Sequence, residues 1–478
     1  MDTATLALVG LVIIVAALLS GVVERTRFPQ VALFLLLGLV IGVFGFGLVD
    51  FRLDSQILET IATLGLVLVL FTDAVSVDIR EVKRHRTLVR LVLGPGTLIT
   101  AALIAVAAWA LLGLAPGPAA ILGAALASTD PVMMRGLLRS GNVPAAARQV
   151  LALESGLNDL VLLPIVLAAM ALLGGNAGEG GHWGRTALSL FLVGPGAGIA
   201  VGFIGVVLLD RARRAVGVRR DYESLYALGL AFTAYAVAEA AHGSGFLAAF
   251  AAGLTIAASD AELCDCFLDV GQAAAEMFLL FTFVALGSSL IWTGLSGVTW
   301  RGLLFALLAL GLRSAVLAVA LPRQGLDPRS RRLIVWFGPR GLSTLLLVLL
   351  PVFAGLPGAD RLFAPAALVV LLSVVVHGGA LMLGRKPSSG RTLPLAPEPA
   401  PPPAPSSGER KDRITLAELK ELQARGERVV LLDVRKDRAW NDSEEKARGA
   451  IRFPPEGAAQ RAAELALPRH DWLVAYCA

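Results

Sequence analysis

Long apolar stretches follow one another along the first 383 residues, and short polar or glycine-rich stretches separate them. A helix that crosses a bilayer needs roughly twenty mainly apolar residues. This criterion predicts thirteen spans: about 4–23, 30–49, 56–75, 87–112, 117–139, 145–173, 186–209, 223–241, 243–258, 271–291, 301–321, 331–356 and 362–383. The pattern therefore indicates a polytopic membrane protein, although only a short polar turn divides the eighth span from the ninth.

The basic residues of the predicted loops lie mainly on one side of the membrane. With the N-terminus outside, eighteen Lys and Arg residues fall in cytoplasmic loops and four in the opposite loops. Cytoplasmic loops of membrane proteins carry the excess of positive charge. The distribution thus predicts a protein of the cell (inner) membrane whose C-terminal tail is cytoplasmic.

Two of the predicted spans are interrupted at corresponding positions. An odd number of spans permits two inverted six-helix repeats joined by the seventh span, which pairs the fifth span with the twelfth. The fifth contains Asp130-Pro131, and the twelfth contains Gly338-Pro339-Arg340-Gly341. Proline removes a backbone donor and glycine loosens a helix, so both sites favour unwinding. The predicted fold is all-α, with about 13 transmembrane helices and broken crossing helices.

Composition divides the chain into a membrane part and a soluble tail. The chain is 56% hydrophobic with a mean hydropathy of +0.72, which excludes an ordinary soluble protein. Residues 409–478 nevertheless hold 27 of the 79 charged residues. We predict a transmembrane domain at 1–385, a Pro/Ser-rich linker at 386–408 and a small α/β domain at 409–478.

The sequence also predicts the elements of the soluble tail and a role for the cysteines. Strands are predicted at 428–434 and 472–476, after a helix that Thr415 would cap with Glu418. Cys264 and Cys266 are interpreted as loop thiols, since no second Cys or His pair stands near them to complete a metal site. The pI near 9.4 reflects cytoplasmic arginine, and nucleic acid is not an expected partner.

Two aspartates carry the candidate chemistry. Counted from Arg139 and Arg148, Asp130 and Asp159 both lie roughly 14–16 Å deep, near the midplane of a core about 30 Å thick. Carboxylates at that depth are costly unless they serve a site. The Ser155 hydroxyl shares the helix face of Asp159, and the break at 130–131 would free the carbonyl of Thr129. Such an oxygen cluster suits an alkali cation.

The same cluster suits protons. Burial and a nearby like charge favour the protonated carboxyl, whereas a bound cation favours the carboxylate. A proton and a cation would therefore compete for one group, which is sufficient for antiport. Glu154 lies shallower than Asp159, at a depth similar to that of Arg340, so we expect these two to form a structural ion pair. Arg313 has no obvious partner nearby in the sequence.

The motifs resemble those of the monovalent cation/proton antiporters of the NhaP type, in the sodium/hydrogen exchanger family. The resemblance is carried by Thr129-Asp130-Pro131, by 154–159 (Glu-Ser-x-x-Asn-Asp) and by 336–341 (Trp-Phe-Gly-Pro-Arg-Gly). It implies sodium/proton exchange by a homodimer with an elevator-like core. It also implies that Asp159 is the main carboxylate and that Asp130, Ser155 and the Thr129 carbonyl complete the site.

The residue that precedes Asp159 affects the net charge that would cross the membrane in each transport cycle. Asn158 stands where electrogenic relatives have a second aspartate, which implies electroneutral exchange. No cofactor is expected, and Na⁺ is the predicted ion. Potassium/proton exchange is the alternative, with Li⁺ as a further candidate ion, because the number of ligands does not separate these ions.

The tail resembles the opening of a rhodanese-like domain. The resemblance is carried by 414–419, 431–435 and 448–451 (ITLAEL, LLDVR and RGAI), and Cys477 matches the family's cysteine. The chain stops one residue later, before the expected anion-cradling loop, so we expect the cysteine to be inactive. A membrane-anchored sulfurtransferase is thus the less favoured hypothesis, and the prediction is a secondary-active transporter rather than an enzyme.

Overall fold

The computed structural model describes residues 29–77, 86–138, 143–174, 188–259, 261–295, 298–321, 327–383, 427–435, 449–453 and 472–476, with a few isolated positions. The chain forms two compact units, Met1–Ser388 and Ser389–Ala478. Apart from three isolated positions (10, 14 and 18), the first predicted span lies outside the described residues, as do the linker 386–408, the Thr415 cap and Cys477.

The first unit is helical. Its first helices are α1 (Gln30–Ile41), α2 (Gln56–Val75), α3 (Arg86–Leu91), α4 (Thr97–Leu112), α5 (Pro116–Ala127), α6 (Pro131–Leu138) and α7 (Ala145–Gly174). It continues with α8 (Gly194–Ala215), α9 (Arg220–Ala240), α10 (Gly245–Ser259), α11 (Ala261–Ser288), α12 (Trp300–Ala320), α13 (Pro328–Trp336), α14 (Leu342–Phe353) and α15 (Phe363–Leu383). A π-helical turn around Pro95 joins α3 to α4, since proline cannot donate to the regular ladder.

Membrane crossing is evident in the described part of the chain. Seven helical stretches there are long and apolar enough to span a bilayer: Gln56–Val75, Thr87–Leu112, Ala146–Gly174, Ser189–Ala215, Gly271–Ser288, Trp300–Ala320 and Ala359–Ala380. The predicted separation of the eighth and ninth spans is confirmed, because α9 and α10 are distinct helices joined at His242, which has a φ of 56°.

One predicted boundary is wrong. The second span was expected to run to residue 49, but α1 ends at Ile41, where Gly42 lies too close to the Ser288 backbone to accept a side chain. The apolar stretch of the tenth span begins at Gly271, as predicted, but the helix that contains it, α11, already begins at Ala261. Cys264 and Cys266 therefore lie on a helix and not in a loop.

Small residues let the helices of this unit pack closely. A Cβ at Gly253 of α10 would overlap the Phe71 carbonyl oxygen of α2, and a Cβ at Gly198 of α8 would overlap the Ala248 backbone of α10. Close backbone approach of this kind is typical of membrane helix packing. It places α10 between α2 and α8.

The second unit contains a three-stranded parallel sheet. Its strands are β1 (Val429–Asp433), β2 (Ile451–Arg452) and β3 (Trp472–Tyr476), in the order β2-β1-β3. The two predicted strands are therefore present. At the end of β1, hydrogen bonds from Arg435 and from the Tyr476 hydroxyl hold the pKa of the Asp433 carboxyl well below its usual range.

Candidate cation site at two broken helices

The chain unwinds at both predicted interruptions. Helix α5 ends at Ala127 and α6 starts at Pro131, because the residue before a proline is driven out of the helical region. Helix α13 ends at Trp336 and α14 starts at Leu342. The two unwound segments meet, and the Asp130 amide donates to the Pro339 carbonyl at 2.9 Å.

The Asp130 carboxylate lies between two helix N-termini. One oxygen accepts from the Val132 amide of α6 and the other from the Leu342 amide of α14, each at 2.7 Å. Free amides and the positive ends of both helix dipoles favour a negative charge there. Asp130, which is 1% exposed, therefore joins the two broken helices.

Arg340 occupies the opposite end of the break. Its Nη1 donates to the Ala127 and Ser128 carbonyls at 2.7 and 2.9 Å, which are the carbonyls left free at the end of α5. Its backbone amide donates to Ser373 Oγ of α15 at 2.7 Å. Among the described residues, Nε and Nη2 of this buried side chain have no hydrogen-bond partner.

The predicted ion pair between Glu154 and Arg340 is wrong. Glu154 pairs instead with Arg313 of α12 through two hydrogen bonds of 2.7 and 2.5 Å, and both side chains are 4% exposed. Arg313 Nη1 also donates to the Val335 carbonyl at the end of α13, at 3.3 Å. The pair joins α7 to α12, and Arg313 also caps the end of α13, the first half of the second broken helix.

Asp159 lies on α7 beside the unwound segment of α5–α6. Ser128 Oγ donates to its Oδ1 at 2.7 Å. Asp159 is 2% exposed, so its carboxyl is held away from bulk solvent. Sequence reasoning missed Ser128, although its position next to Thr129 in the motif could have indicated it.

Asn158 fixes the neighbouring oxygens. Its Nδ2 donates to Thr129 Oγ1 at 2.8 Å and to the Thr129 carbonyl at 3.3 Å. This arrangement orients Oδ1 away from Thr129, and that buried oxygen has no partner within the described residues. Ser155, one turn before Asp159 on the same helix, donates to the Ala152 carbonyl at 3.2 Å. The site is therefore lined by carboxylate, amide, carbonyl and hydroxyl oxygens.

Two glycines allow the second break to pack against these charges. A Cβ at Gly338 would overlap the Arg313 guanidinium, and a Cβ at Gly341 would overlap the Asp130 carboxylate. Backbone must approach both charged groups directly at these positions. The two glycines of the motif 338–341, on either side of Pro339 and Arg340, are therefore positions where the backbone lies directly against a charged side chain.

We expect Gly341→Ala to destabilise the protein by about 3 kcal/mol, because the methyl group displaces Asp130 and breaks its bond to the Leu342 amide. Thermal unfolding in detergent measures the effect. Gly311→Ala on α12 is the matched control, since nothing lies within 4 Å of a Cβ there. Equal stability of the two variants would contradict the packing argument.

Several known proteins are similar in sequence to this chain. A family model described as sodium/hydrogen exchanger, transmembrane, matches residues 11–383. The K(+)/H(+) antiporter NhaP2 of Shewanella sp. (strain MR-4) is 27% identical over 396 residues, covering 81% of this chain and 67% of that protein. The K(+)/H(+) antiporter NhaP of Alkalimonas amylolytica is 26% identical over 388 residues, covering 79% and 65% respectively.

The fold also matches a solved structure. The sodium proton antiporter MjNhaP1 from Methanocaldococcus jannaschii superposes with a TM-score of 0.63 at 20% sequence identity, covering 78% of this chain and 98% of that one. At this identity the likeness concerns the fold alone. It confirms the predicted helical architecture of the membrane part.

Proposed function

The chain belongs to the sodium/hydrogen exchanger family, and from this premise we propose that it exchanges Na⁺ for H⁺ at a site built around Asp159. It is a multi-pass membrane transporter of monovalent cations and protons, and not an enzyme. In the proposed cycle the site opens to one side of the membrane at a time, and Na⁺ and H⁺ occupy the same carboxylate in turn.

The observation that carries the proposal is a buried carboxylate beside an unpartnered oxygen. Asp159 has a single described hydrogen bond, from Ser128, and Asn158 Oδ1 has none among the described residues. Buried polar atoms are normally satisfied, so an open oxygen here calls for a ligand that accepts electron pairs. Na⁺ held by Asp159, Asn158, the Thr129 carbonyl and Ser155 would fulfil that requirement with hard oxygen ligands.

Asp130 contributes to this site without being its proton carrier. Both of its oxygens already accept backbone hydrogen bonds at 2.7 Å, so this carboxylate is engaged in joining the N-termini of α6 and α14. We therefore assign proton exchange to Asp159 alone. Asp130 supplies a fixed negative charge that offsets part of the cost of bringing a cation into the membrane interior.

Potassium/proton exchange is the second candidate. It is favoured by the relatives at 26–27% identity whose names specify K(+)/H(+) antiport. Both ions take oxygen ligands, so the two candidates share one site. They differ in which ion gradient drives proton movement.

Proteoliposomes containing the full chain and a luminal pH dye separate the candidates. We expect a Na⁺ gradient to drive proton movement at least 10-fold faster than an equal K⁺ gradient, with protein-free vesicles as the control. A faster response to K⁺ would establish the second candidate. Absence of exchange with Na⁺, K⁺ and Li⁺ would overturn the proposed function.

We also propose that exchange is electroneutral, and this proposal rests on Asn158. Because Asn158 is neutral, Asp159 is the one group proposed to exchange a proton, and one positive charge replaces another. A potential-sensitive dye in the same vesicles should report no net charge movement during exchange. A sodium-driven membrane potential would rule out the electroneutral cycle.

The organisation of the whole chain is also proposed. We infer a transmembrane domain at 1–385, a linker at 386–408 and a rhodanese-like domain at 409–478 on the cytoplasmic side of the inner membrane. The eighteen-to-four distribution of basic loop residues supports this orientation. We also infer a homodimer, which cross-linking in native membranes would test.

A further inference from the structure

Helix α13 carries a basic face that the transport site does not use. Arg329, Arg332 and Trp336 are exposed and recur at intervals of three and four residues, whereas Ser330 and Ile334 on the other face are buried. Residues with this spacing lie on one side of a helix. Arg331 extends toward α12, where its Nη2 donates to the Ala318 carbonyl.

These arginines lack acidic partners in the part of the chain that the structure describes. Neither Arg329, Arg331 nor Arg332 forms an ion pair there, and the buried Nε of Arg331 has no hydrogen-bond partner among those residues. The nearest acid in the chain is Asp327, whose carboxylate caps α13 by accepting from the Ser330 amide at 2.9 Å. Hydrogen bonds from Ser330 lower the pKa of Asp327, so this acid stays charged and the cluster keeps a net positive charge.

The basic face borders an apolar groove. A surface groove of about 520 Å³ is lined by Arg329, Arg331, Arg332, Leu333, Val335 and Trp336. Trp336 is 54% exposed, and Val319, next to the carbonyl that Arg331 contacts, is 88% exposed. Such apolar exposure is typical of a surface that contacts acyl chains.

We propose that this groove binds an anionic phospholipid. The phosphate contacts Arg329 and Arg332, while the acyl chains lie against Leu333 and Trp336. Arg332 and Arg329 lie about 6 and 10 Å from Trp336 along the helix axis, by the helical rise of 1.5 Å per residue. That offset matches the distance from headgroup to acyl chains at the membrane boundary, where tryptophan is enriched.

The charge of the groove selects the lipid class. Each arginine close to an anionic membrane surface strengthens binding by about 5-fold, and a zwitterionic headgroup offers no net attraction. In the proposed orientation α13 begins on the cytoplasmic side, whose leaflet carries the anionic lipids. The unwound segment 337–341 directly follows α13, so the bound lipid adjoins the helix break that forms the cation site.

Native mass spectrometry of the delipidated full chain in detergent tests the proposal. We expect phosphatidylglycerol to bind more tightly than phosphatidylcholine, and Arg329→Gln/Arg332→Gln to weaken phosphatidylglycerol binding by about 5-fold to 25-fold while leaving phosphatidylcholine binding unchanged. This readout is independent of transport, so it remains informative if the proposed ion exchange is wrong.

The matched control removes the same charge elsewhere. Arg211 and Arg214 are exposed basic residues at the end of α8, on the same proposed side of the membrane. Arg211→Gln/Arg214→Gln should leave phosphatidylglycerol affinity within 2-fold of the original chain. An equal loss in both variants, or no loss in Arg329→Gln/Arg332→Gln, would overturn the proposed site.

Discussion

Replacement of Asp159 by asparagine is expected to abolish cation-driven proton movement, to at most about 1% of the original rate. The variant removes both the negative charge that holds the cation and the only group proposed to exchange a proton. A hundredfold loss corresponds to about 2.7 kcal/mol of lost transition-state stabilisation, a modest demand for a buried charge. The pH dye assay in proteoliposomes measures the rate.

The fold of this variant should be preserved. Asparagine retains an oxygen that can accept the Ser128 hydrogen bond, so the unfolding temperature should change little. Asp130→Asn is the contrasting variant, because its amide group would face one of two backbone donors and the helix junction would weaken. Full exchange by Asp159→Asn would show that the carboxylate is assigned to the wrong residue.

Competition at Asp159 also determines the pH dependence. A proton bound to the carboxyl excludes Na⁺, so the apparent KM for Na⁺ should rise as the pH falls. The rise approaches about tenfold per pH unit when the free carboxyl is mainly protonated, because one proton is displaced per cation. An apparent KM that does not vary with pH would contradict a shared carboxylate.

Disruption of the Glu154–Arg313 pair is expected to have the largest effect on stability. Removing one member of a buried ion pair typically costs 3–5 kcal/mol, because the other charge remains buried and uncompensated. Arg313→Met leaves Glu154 unpaired and also removes the cap on the Val335 carbonyl of α13. We therefore expect a loss of about 4 kcal/mol, measured by reversible unfolding in mild detergent.

A double-mutant cycle distinguishes the observed pair from the one predicted by depth. Glu154→Gln/Arg313→Met should be more stable than the sum of the two single changes predicts, since neither charge then remains alone. Arg340→Met combined with Glu154→Gln is the control, with coupling below about 1 kcal/mol because these side chains do not form an ion pair. Stronger coupling to Arg340 than to Arg313 would restore the pairing expected from the sequence.

The sequence predicted the helical architecture and the positions of both breaks. Hydropathy, proline and glycine act locally, so the breaks at Asp130-Pro131 and at 338–341 are visible without a structure. The ends of helices were predicted less well where residues distant in the chain contact them. Helix α1 ends at Ile41, and the Val43 amide donates to the carbonyl of Ser288, a residue far away in the chain, at 3.1 Å.

The partner of Glu154 could not be chosen from depth. Arg313 lies eight residues before Leu321, which follows α12, and Arg340 lies eight residues after Arg332, so a continuous helical rise would predict about 12 Å from the same boundary for both arginines. Depth along a helix does not specify the direction in which a side chain points. Helix rotation, which the tertiary packing sets, brings Arg313 to the carboxylate.

The sequence by itself determined the membrane setting, the order of the spans and the buried acids that any function must explain. These follow from hydropathy and from the high cost of a charge in the membrane interior, and both can be read locally. The tertiary structure alone decided what each charge does. Asp130 caps two helices, Arg340 caps a third and Ser128 holds Asp159, because helix ends that meet in space leave free amides and carbonyls whose partners come from distant parts of the chain.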